Sequence, residues 1–354
     1  MRKKVFFVLS SFSAGGAERV FWLLSQGFDK IKFEVVVVLL NSSSNAFSTK
    51  IADVRIIDLK TIRASYSFFQ LLKLLMHEKP FAVYSTGGHI NFLVSLVSLF
   101  HHIPVNIARG TNIPEERVKY ATFKSKLFSK FGLGKFSRFN FVVCQSKEML
   151  NSWASKRGTN PKKLILISNP ILLSNHLNAG ILLEEKQRLI IVARMSPVKG
   201  YLRLLNVLFE LPNTYALTIA GGDGGSEVAI QKKIVELGLA GRVLMLGEIN
   251  NVCEEISKHN LFVLSSFTEG FPNVVLEALS VGTPVICYQV GGVSQFIVND
   301  FNGFIVEQGD TKKFKECIIK ACNKTWDHRA IAEDIHNRFS IEKIVKQYEK
   351  LIEN

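Results

Sequence analysis

The sequence predicts an α/β protein of two doubly wound, Rossmann-like domains facing a cleft, on the strength of three observations. Short apolar runs alternate with helical stretches, as in parallel sheets joined by crossover helices. The runs form two series: 5–9, 33–40, 81–85, 105–108, 139–143 and 164–167, then 189–193, 216–220, 243–246, 261–264, 284–287 and 303–306. Between the series, over 169–185, the periodicity lapses and polar residues gather. The predicted units are therefore 1–168, a hinge at 169–185, a second domain at 186–339 and an amphipathic helix at 340–354. At 354 residues both domains can bury full cores. In such sheets ligands bind outside the carboxyl ends of the strands.

Composition narrows the function. A hydrophobic share of 47% and an aromatic share of 10% belong to a folded chain. The net charge of +14 is uneven: residues 1–168 carry 25 Lys and Arg against 9 Asp and Glu, the remainder 19 against 21. The two halves should face different partners. Cys144, Cys253, Cys287, Cys317 and Cys322 contain no Cys-x-x-Cys pair, which argues against a zinc site or a disulfide framework and for a reducing compartment. Residues 2–12 resemble a signal peptide superficially, but the apolar core is short and runs into Gly15-Gly16, so a first buried strand is expected. No run reaches the ~18 apolar residues of a membrane span; 90–100 is short and interrupted by Asn91, Ser95 and Ser98.

The stretch around which the chain is organised runs from Ser266 to Leu279. The run 261–264 reads as a buried strand, Gly270 breaks it, Pro272 fits a first helical turn and Gly282 a C-terminal cap. Glu269 then lies in a loop at a strand's carboxyl end and Glu277 about one turn into the helix. Backbone N–H groups of Phe271, Asn273 and Val274, on either side of Pro272, mark a helix start suited to a phosphate or a sugar hydroxyl. Two carboxylates invite a glycosidase reading, but that needs about 5–9.5 Å between them, and eight residues of mostly helical path span roughly 12 Å. They read instead as two anchors on one long ligand. The plainer alternative is that Glu269 caps a helix and Glu277 is solvated.

The Glu-x7-Glu pattern of Glu269 and Glu277 resembles the signature of the retaining, nucleotide-sugar-dependent glycosyltransferases of family four, whose architecture is GT-B. Three further pieces match in order: Gly15-Gly16-Ala17-Glu18-Arg19 after the first strand, Asn169-Pro170 at mid-chain, and Arg194 with Lys199 in Arg194-Met195-Ser196-Pro197-Val198-Lys199. The resemblance spans nearly the whole chain. It implies that Arg194 and Lys199 neutralise the donor diphosphate, that Glu277 accepts from ribose hydroxyls, and that Glu269 and Gly270 meet the sugar. It also implies front-face displacement with retention, and a last helix that returns to the first domain. Fixed cations in a drained cleft suit a departing diphosphate, at ~3–4 kcal/mol per donor removed. The chain has no Asp-x-Asp motif, so no essential metal and no cofactor beyond the substrate are expected.

The remaining motifs are less specific. Gly15 and Gly16 let backbone approach a ligand at a helix start near Ala17; the resemblance places them over the donor phosphates, and an ordinary tight turn would use the same glycines. Glu18 would hold Arg19 or favour the helix start. Gly221-Gly222-Asp223-Gly224-Gly225 resembles the family's Gly-Asp-Gly loop, or is a simple turn, and Gly247-Glu248-Ile249 stands where the family contacts the base. His89 opens the helix after the run 81–85, where many members aim a histidine at the donor sugar. Arg109 follows the run 105–108 and is either an acceptor-phosphate contact or a solvated loop cation.

Residues 117–138 carry Arg117, Lys119, Lys124, Lys126, Lys130, Lys135 and Arg138 without an acid, among Tyr120, Phe123, Phe128, Phe131 and Phe136. That composition suits an anionic membrane surface at ~1 kcal/mol per cation, or a helix packed on its own domain. Residues 66–79 would add a second apolar face. Together these features predict a cytoplasmic enzyme bound peripherally to the inner face of the cell membrane. It would move a sugar from a nucleotide donor, expected to be UDP-linked, to an isoprenoid-diphosphate-linked glycan, in polysaccharide assembly such as O-antigen, capsule or N-glycan precursor synthesis. A sugar-nucleotide epimerase would need no basic, aromatic first domain. A nucleic-acid binder would not place phosphate-pocket motifs in the neutral half, so no nucleic acid is expected.

Overall fold

The computed structural model describes residues 2–12, 15–43, 50–61, 64–110, 133–155, 160–174, 176–178 and 187–353. Arg117, Lys119, Lys124, Lys126 and Lys130 lie outside the described residues, as does all of 179–186. The chain divides into two compact units, one of Met1–Pro170 with Ile341–Asn354 and the other of Ile171–Ser340.

In the first unit the elements run β1 (Lys3–Leu9), α1 (Gly16–Gly27), β2 (Phe33–Leu39), β3 (Val54–Asp58), α2 (Ala64–Glu78), β4 (Ala82–Thr86), α3 (Gly88–Val97), β5 (Val105–Arg109), β6 (Phe141–Cys144), α4 (Lys147–Ala154) and β7 (Leu164–Leu166). The seven strands form one parallel sheet in the order β3-β2-β1-β4-β5-β6-β7. Alternation along β1 splits the core in two: Val5, Phe7 and Leu9 enter one apolar layer, Phe6 and Val8 the other. Burial on both faces is why these strands read as unbroken apolar runs.

β3 is the strand that the apolar runs do not reveal. It sits at the sheet's edge, paired to β2 at Val35↔Val54, and its residues Val-Arg-Ile-Ile-Asp are half-exposed. At an edge the strand can carry polar residues, and Arg55 and Asp58 leave it too short an apolar run to stand out.

The second unit contributes β8 (Gln187–Val192), α5 (Tyr201–Glu210), β9 (Tyr215–Ala220), α6 (Glu227–Glu236), β10 (Val243–Gly247), α7 (Val252–Ser257), β11 (Leu261–Leu264), α8 (Asn273–Ser280), β12 (Val285–Tyr288), β13 (Gly303–Val306), α9 (Thr311–Cys322) and α10 (His328–Phe339). Its parallel sheet has the order β10-β9-β8-β11-β12-β13. The Ile171 N–H donates to Phe339 O at 2.8 Å, and Ile171 bridges Ser340.

Helix α11 (Ile341–Glu353) belongs to the first unit. Ile344, Val345, Tyr348 and Ile352 fill the same apolar layer as Phe7, Phe28 and Tyr84. The Tyr84 hydroxyl donates to Tyr348 O at 2.6 Å, and the Phe7 and Tyr84 rings stack at 5.1 Å.

Candidate functional site

Each sheet reverses its strand order between its first and fourth strand, β1 beside β4 and β8 beside β11. The loops leaving such neighbours diverge and open the crevice in which doubly wound folds bind ligands. In each unit some of the sequence-predicted residues lie at that reversal.

In the second unit, β8 ends at Val192 and the chain turns through Arg194 to a short 3-10 segment, Pro197–Lys199, before α5. β11 ends at Leu264 and leads through Ser266 and Glu269 to α8. The Lys199 ammonium donates to Glu269 Oε1 at 2.6 Å, and Ser266 Oγ donates to the same oxygen at 2.7 Å. The pair is largely enclosed, with 23% and 13% of the two side chains exposed. Glu269 therefore does not cap α8, whose start carries no side-chain cap. Pro272 is the residue before that helix, with φ −79° and ψ 91°, rather than part of its first turn. Gly270, Phe271, Asn273 and Val274 line the same start and are partly buried. The Phe271 ring meets Phe296 edge-on at 5.3 Å. Glu277 is 5% exposed, so a solvated position is excluded.

Gly200 makes this convergence possible. It adopts φ +69°, and a Cβ there would stand 2.0 Å from Ser265 O. Any side chain would push the β11 loop off the β8 loop.

Arg194 is exposed, and its stem lies under the glycine-rich loop: a Cβ on Gly224 would stand 2.9 Å from Arg194 Cγ. Met195 N–H donates to Gly222 O, and the N–H groups of Gly224 and Ser226 donate to Met195 O. Residues 221–225 are thus folded onto the Arg194 turn. Asp223 accepts from the N–H of Gly225, Ser226 and Glu227, with Gly225 leading, and these bonds hold its carboxyl below the usual range. A Cβ on Gly222 would stand 2.2 Å from Glu248 Oε1, which brings the Gly247 loop to the same cluster.

At the first unit's reversal, Ser10 Oγ and His89 Nε2 lie 2.8 Å apart. His89 is exposed and is the second residue of α3, after Gly87 at φ +91°. Gly15 precedes α1 and Gly16 opens it. The Glu18 carboxylate folds back over Gly15, 2.2 Å from where a Cβ would be, so Glu18 serves the helix start.

Arg109 corrects the sequence expectation. It closes β5 instead of lying in a loop, and it is 3% exposed. Its guanidinium donates to Asn169 Oδ1 and to Thr86 Oγ1, and its carbonyl accepts from Asn91 Nδ2. Burial pushes its pKa down, opposed by Tyr348 and Glu18. Neither a solvated cation nor a side chain free to reach an acceptor describes it. Nothing in the composition around a strand end distinguishes a buried arginine from an exposed one.

Sequence reading also missed Ser266 as a partner of Glu269. Its signal was the spacing, since a hydroxyl three residues before a loop carboxylate is within reach of it. Among the described residues, no group of three or more His, Cys, Asp and Glu could hold a metal ion.

Comparison with known proteins bears on both units. The family model for "Glycosyl transferases group 1" matches residues 176–338, and that for "Glycosyltransferase Family 4" matches residues 14–174. N-acetyl-alpha-D-glucosaminyl L-malate synthase of Bacillus anthracis is 34% identical over 134 residues, 37% of this chain and 35% of the relative. The chain's match thus spans about a third of that relative's length. A Campylobacter jejuni enzyme, N-acetylgalactosamine-N,N'-diacetylbacillosaminyl-diphospho-undecaprenol 4-alpha-N-acetylgalactosaminyltransferase, is 25% identical over 321 residues, covering 86% of each chain. Among solved structures, Anabaena HepE in complex with UDP and glucose superposes with a TM-score of 0.82 at 18% identity, covering 100% of both chains. That likeness concerns the fold.

Proposed function

Because the chain belongs to the glycosyltransferases, with the group 1 model in one half and the family 4 model in the other, we propose that it transfers a sugar from a nucleotide donor to a lipid-linked glycan. The donor is UDP-linked, the anomeric configuration is retained, and the product feeds cell-surface polysaccharide. The observation that carries this reading is the Lys199–Glu269–Ser266 cluster at the second unit's strand reversal. Arg194 and Lys199 meet the donor diphosphate, so phosphate charge is balanced by side-chain cations and no metal is required. Glu269 and Glu277 accept from sugar and ribose hydroxyls, each able to take two strong bonds from a diol. Gly15, Gly16 and His89, at the first unit's own strand reversal, are the candidate ligand contacts of that unit.

The acceptor's isoprenoid diphosphate lies at a membrane, and peripheral attachment to its inner face is part of the reading. Two observations support it. The first 168 residues carry the chain's excess of Lys and Arg, and α2 is apolar on its outer side too. Tyr66, Phe69 and Met76 there, with Leu99 and Phe100 after α3, are more than half exposed.

Thermal stabilisation against a panel of nucleotide sugars, with and without EDTA, tests the donor assignment. A tight binder stabilises by ~2.7 kcal/mol at a hundredfold excess over Kd. A UDP-sugar shift that survives EDTA is expected; no shift with any nucleotide overturns the reading. Co-sedimentation with anionic vesicles tests attachment. Neutralising Lys124, Lys126 and Lys130 together should weaken binding by ~1 kcal/mol each, and unchanged binding would remove the basic segment from the footprint.

A further inference from the structure

Arg203, on the first turn of α5, is joined to the loop that carries Glu269 in a way the proposed chemistry does not itself require. Its Nε donates to Ser265 O at 2.7 Å and its Nη2 to Ser266 O at 2.5 Å, while Nη1 donates to Gln308 Oε1 at 3.0 Å. The guanidinium is stacked between two rings, 4.0 Å from the Phe267 centroid and 3.9 Å from that of Tyr288. Gln308, two residues beyond β13, adds a bond from its Nε2 to Ser266 O at 3.1 Å and another to Gln289 O at 3.2 Å. One arginine thus ties together the carboxyl ends of β11, β12 and β13.

The geometry asks for a guanidinium specifically. In a strand successive carbonyls point opposite ways; here two consecutive carbonyls, of Ser265 and Ser266, converge on one group. Such a turn needs a planar donor with several N–H groups in a fixed fork, and two flanking rings need a flat cation. Lysine offers a point charge and satisfies neither demand. The same turn is sewn to the Lys199 segment from its other side. Ser265 Oγ donates to Lys199 O at 2.9 Å, and the Phe267 N–H donates to Val198 O at 2.8 Å. Gly200 admits Ser265 O, and a Cβ there would also stand 2.8 Å from Arg203 Nε.

We propose that Arg203 is a positioning residue for the transfer reaction: it fixes the 265–267 turn so that Glu269 is presented to Lys199 and to the sugar in one geometry. This rests on the glycosyltransferase reading above. Arg203 touches no reacting atom and acts through Ser265 and Ser266.

Two measurements test it separately from that reading. The first is amide hydrogen exchange over residues 265–270. Arg203→Ala should speed exchange there at least about tenfold while leaving the distant β9 and β10 protected. Unchanged exchange over 265–270 overturns the proposal, whatever the enzyme proves to transfer. The second is steady-state transfer by Arg203→Ala, Arg203→Lys, Glu269→Gln and the Arg203→Ala/Glu269→Gln double variant. Arg203→Ala should lose about 10²-fold in kcat, the cost of an ångström-scale misplacement, with the donor KM held within about threefold. Arg203→Lys should not rescue it. In the Glu269→Gln background, Arg203→Ala should add little, because both changes disable one unit. Additive losses, or a fully active Arg203→Lys, overturn the proposal. Wild-type turnover by Glu269→Gln would instead fault the site assignment. Should Arg203→Ala fold poorly, Gln308→Ala is the milder probe: the exposed Gln308 supports the same Ser266 carbonyl, and a smaller kcat loss at constant KM is expected.

Discussion

The two sheets reverse at the same topological place and furnish it in opposite ways. Between β8 and β11, an ammonium and a carboxylate 70 residues apart in sequence meet on one oxygen, with a serine hydroxyl as third partner. Between β1 and β4 there is a histidine on a serine, two glycines and a carboxylate folded onto its own helix start. Arg109, which closes the neighbouring β5, is drawn into the interior and ties that strand to Asn169. Among the described residues, the cation closest to the first unit's strand ends is thus used internally. Charge in the second unit is paired at the strand reversal itself. In the first it is divided between internal bracing and surface.

Removing the second unit's cluster should have the largest effect. Glu269→Gln or Lys199→Ala should lower kcat by roughly 10²–10³ with folding intact, the range seen when one charge-stabilising donor is lost. Turnover assays beside circular dichroism decide this, and a fully active Lys199→Ala would break the comparison at its stronger side.

Next comes Arg109. Arg109→Ala should cost about 2–3 kcal/mol, because buried polar partners lose their contact, whereas Arg194→Ala, at an exposed position, should change stability by under about 0.5 kcal/mol. Urea unfolding of the pair sharpens the contrast; equal losses would mean that the two arginines are not used differently.

Gly200→Ala should cost about 1–2 kcal/mol for the left-handed backbone and more for the clash with Ser265 O, and it should lose more activity than Arg109→Ala because it separates the Lys199 and Glu269 loops. Comparing Tm with kcat for this variant checks whether precision in the second unit outweighs its stability.

The smallest effect is a pH response in the first unit. Hydrogen bonds from Arg55 and then Lys4 lower the Glu78 pKa from 4.5 to about 2. A depressed carboxylate pKa contributes stability above pH 4.5, and this is lost as the pH falls towards 2. Glu78→Gln should flatten unfolding midpoints between those limits and leave them parallel to wild type above pH 5.

How much of this was legible depends on whether a feature is local. Among the described residues, twelve of the thirteen strands announce themselves as apolar runs, most of them because both faces are buried; β10 does so at a half-exposed edge because Val243, Leu244 and Met245 are all apolar, whereas Arg55 and Asp58 interrupt β3. Glu269 and Glu277 could be singled out from spacing. The contact of Glu269 with Lys199 follows from β8 lying beside β11, which strand order decides and the sequence around either residue does not. Arg203 had no signal at all, for its carbonyl partners and its two rings come from the ends of other strands.

Helix α11 bears on how the chain comes to be folded. Tyr84 and Tyr348, bonded in one core, are 264 residues apart. At ~5–20 residues per second of synthesis, tens of seconds separate their emergence from the ribosome. Throughout that interval the first sheet exists without the helix that covers Phe7, Phe28 and Tyr84, and the second unit, made later, can close before it. The unit synthesised first is thus the one completed last. An apolar face left open for that long is where a chaperone would bind.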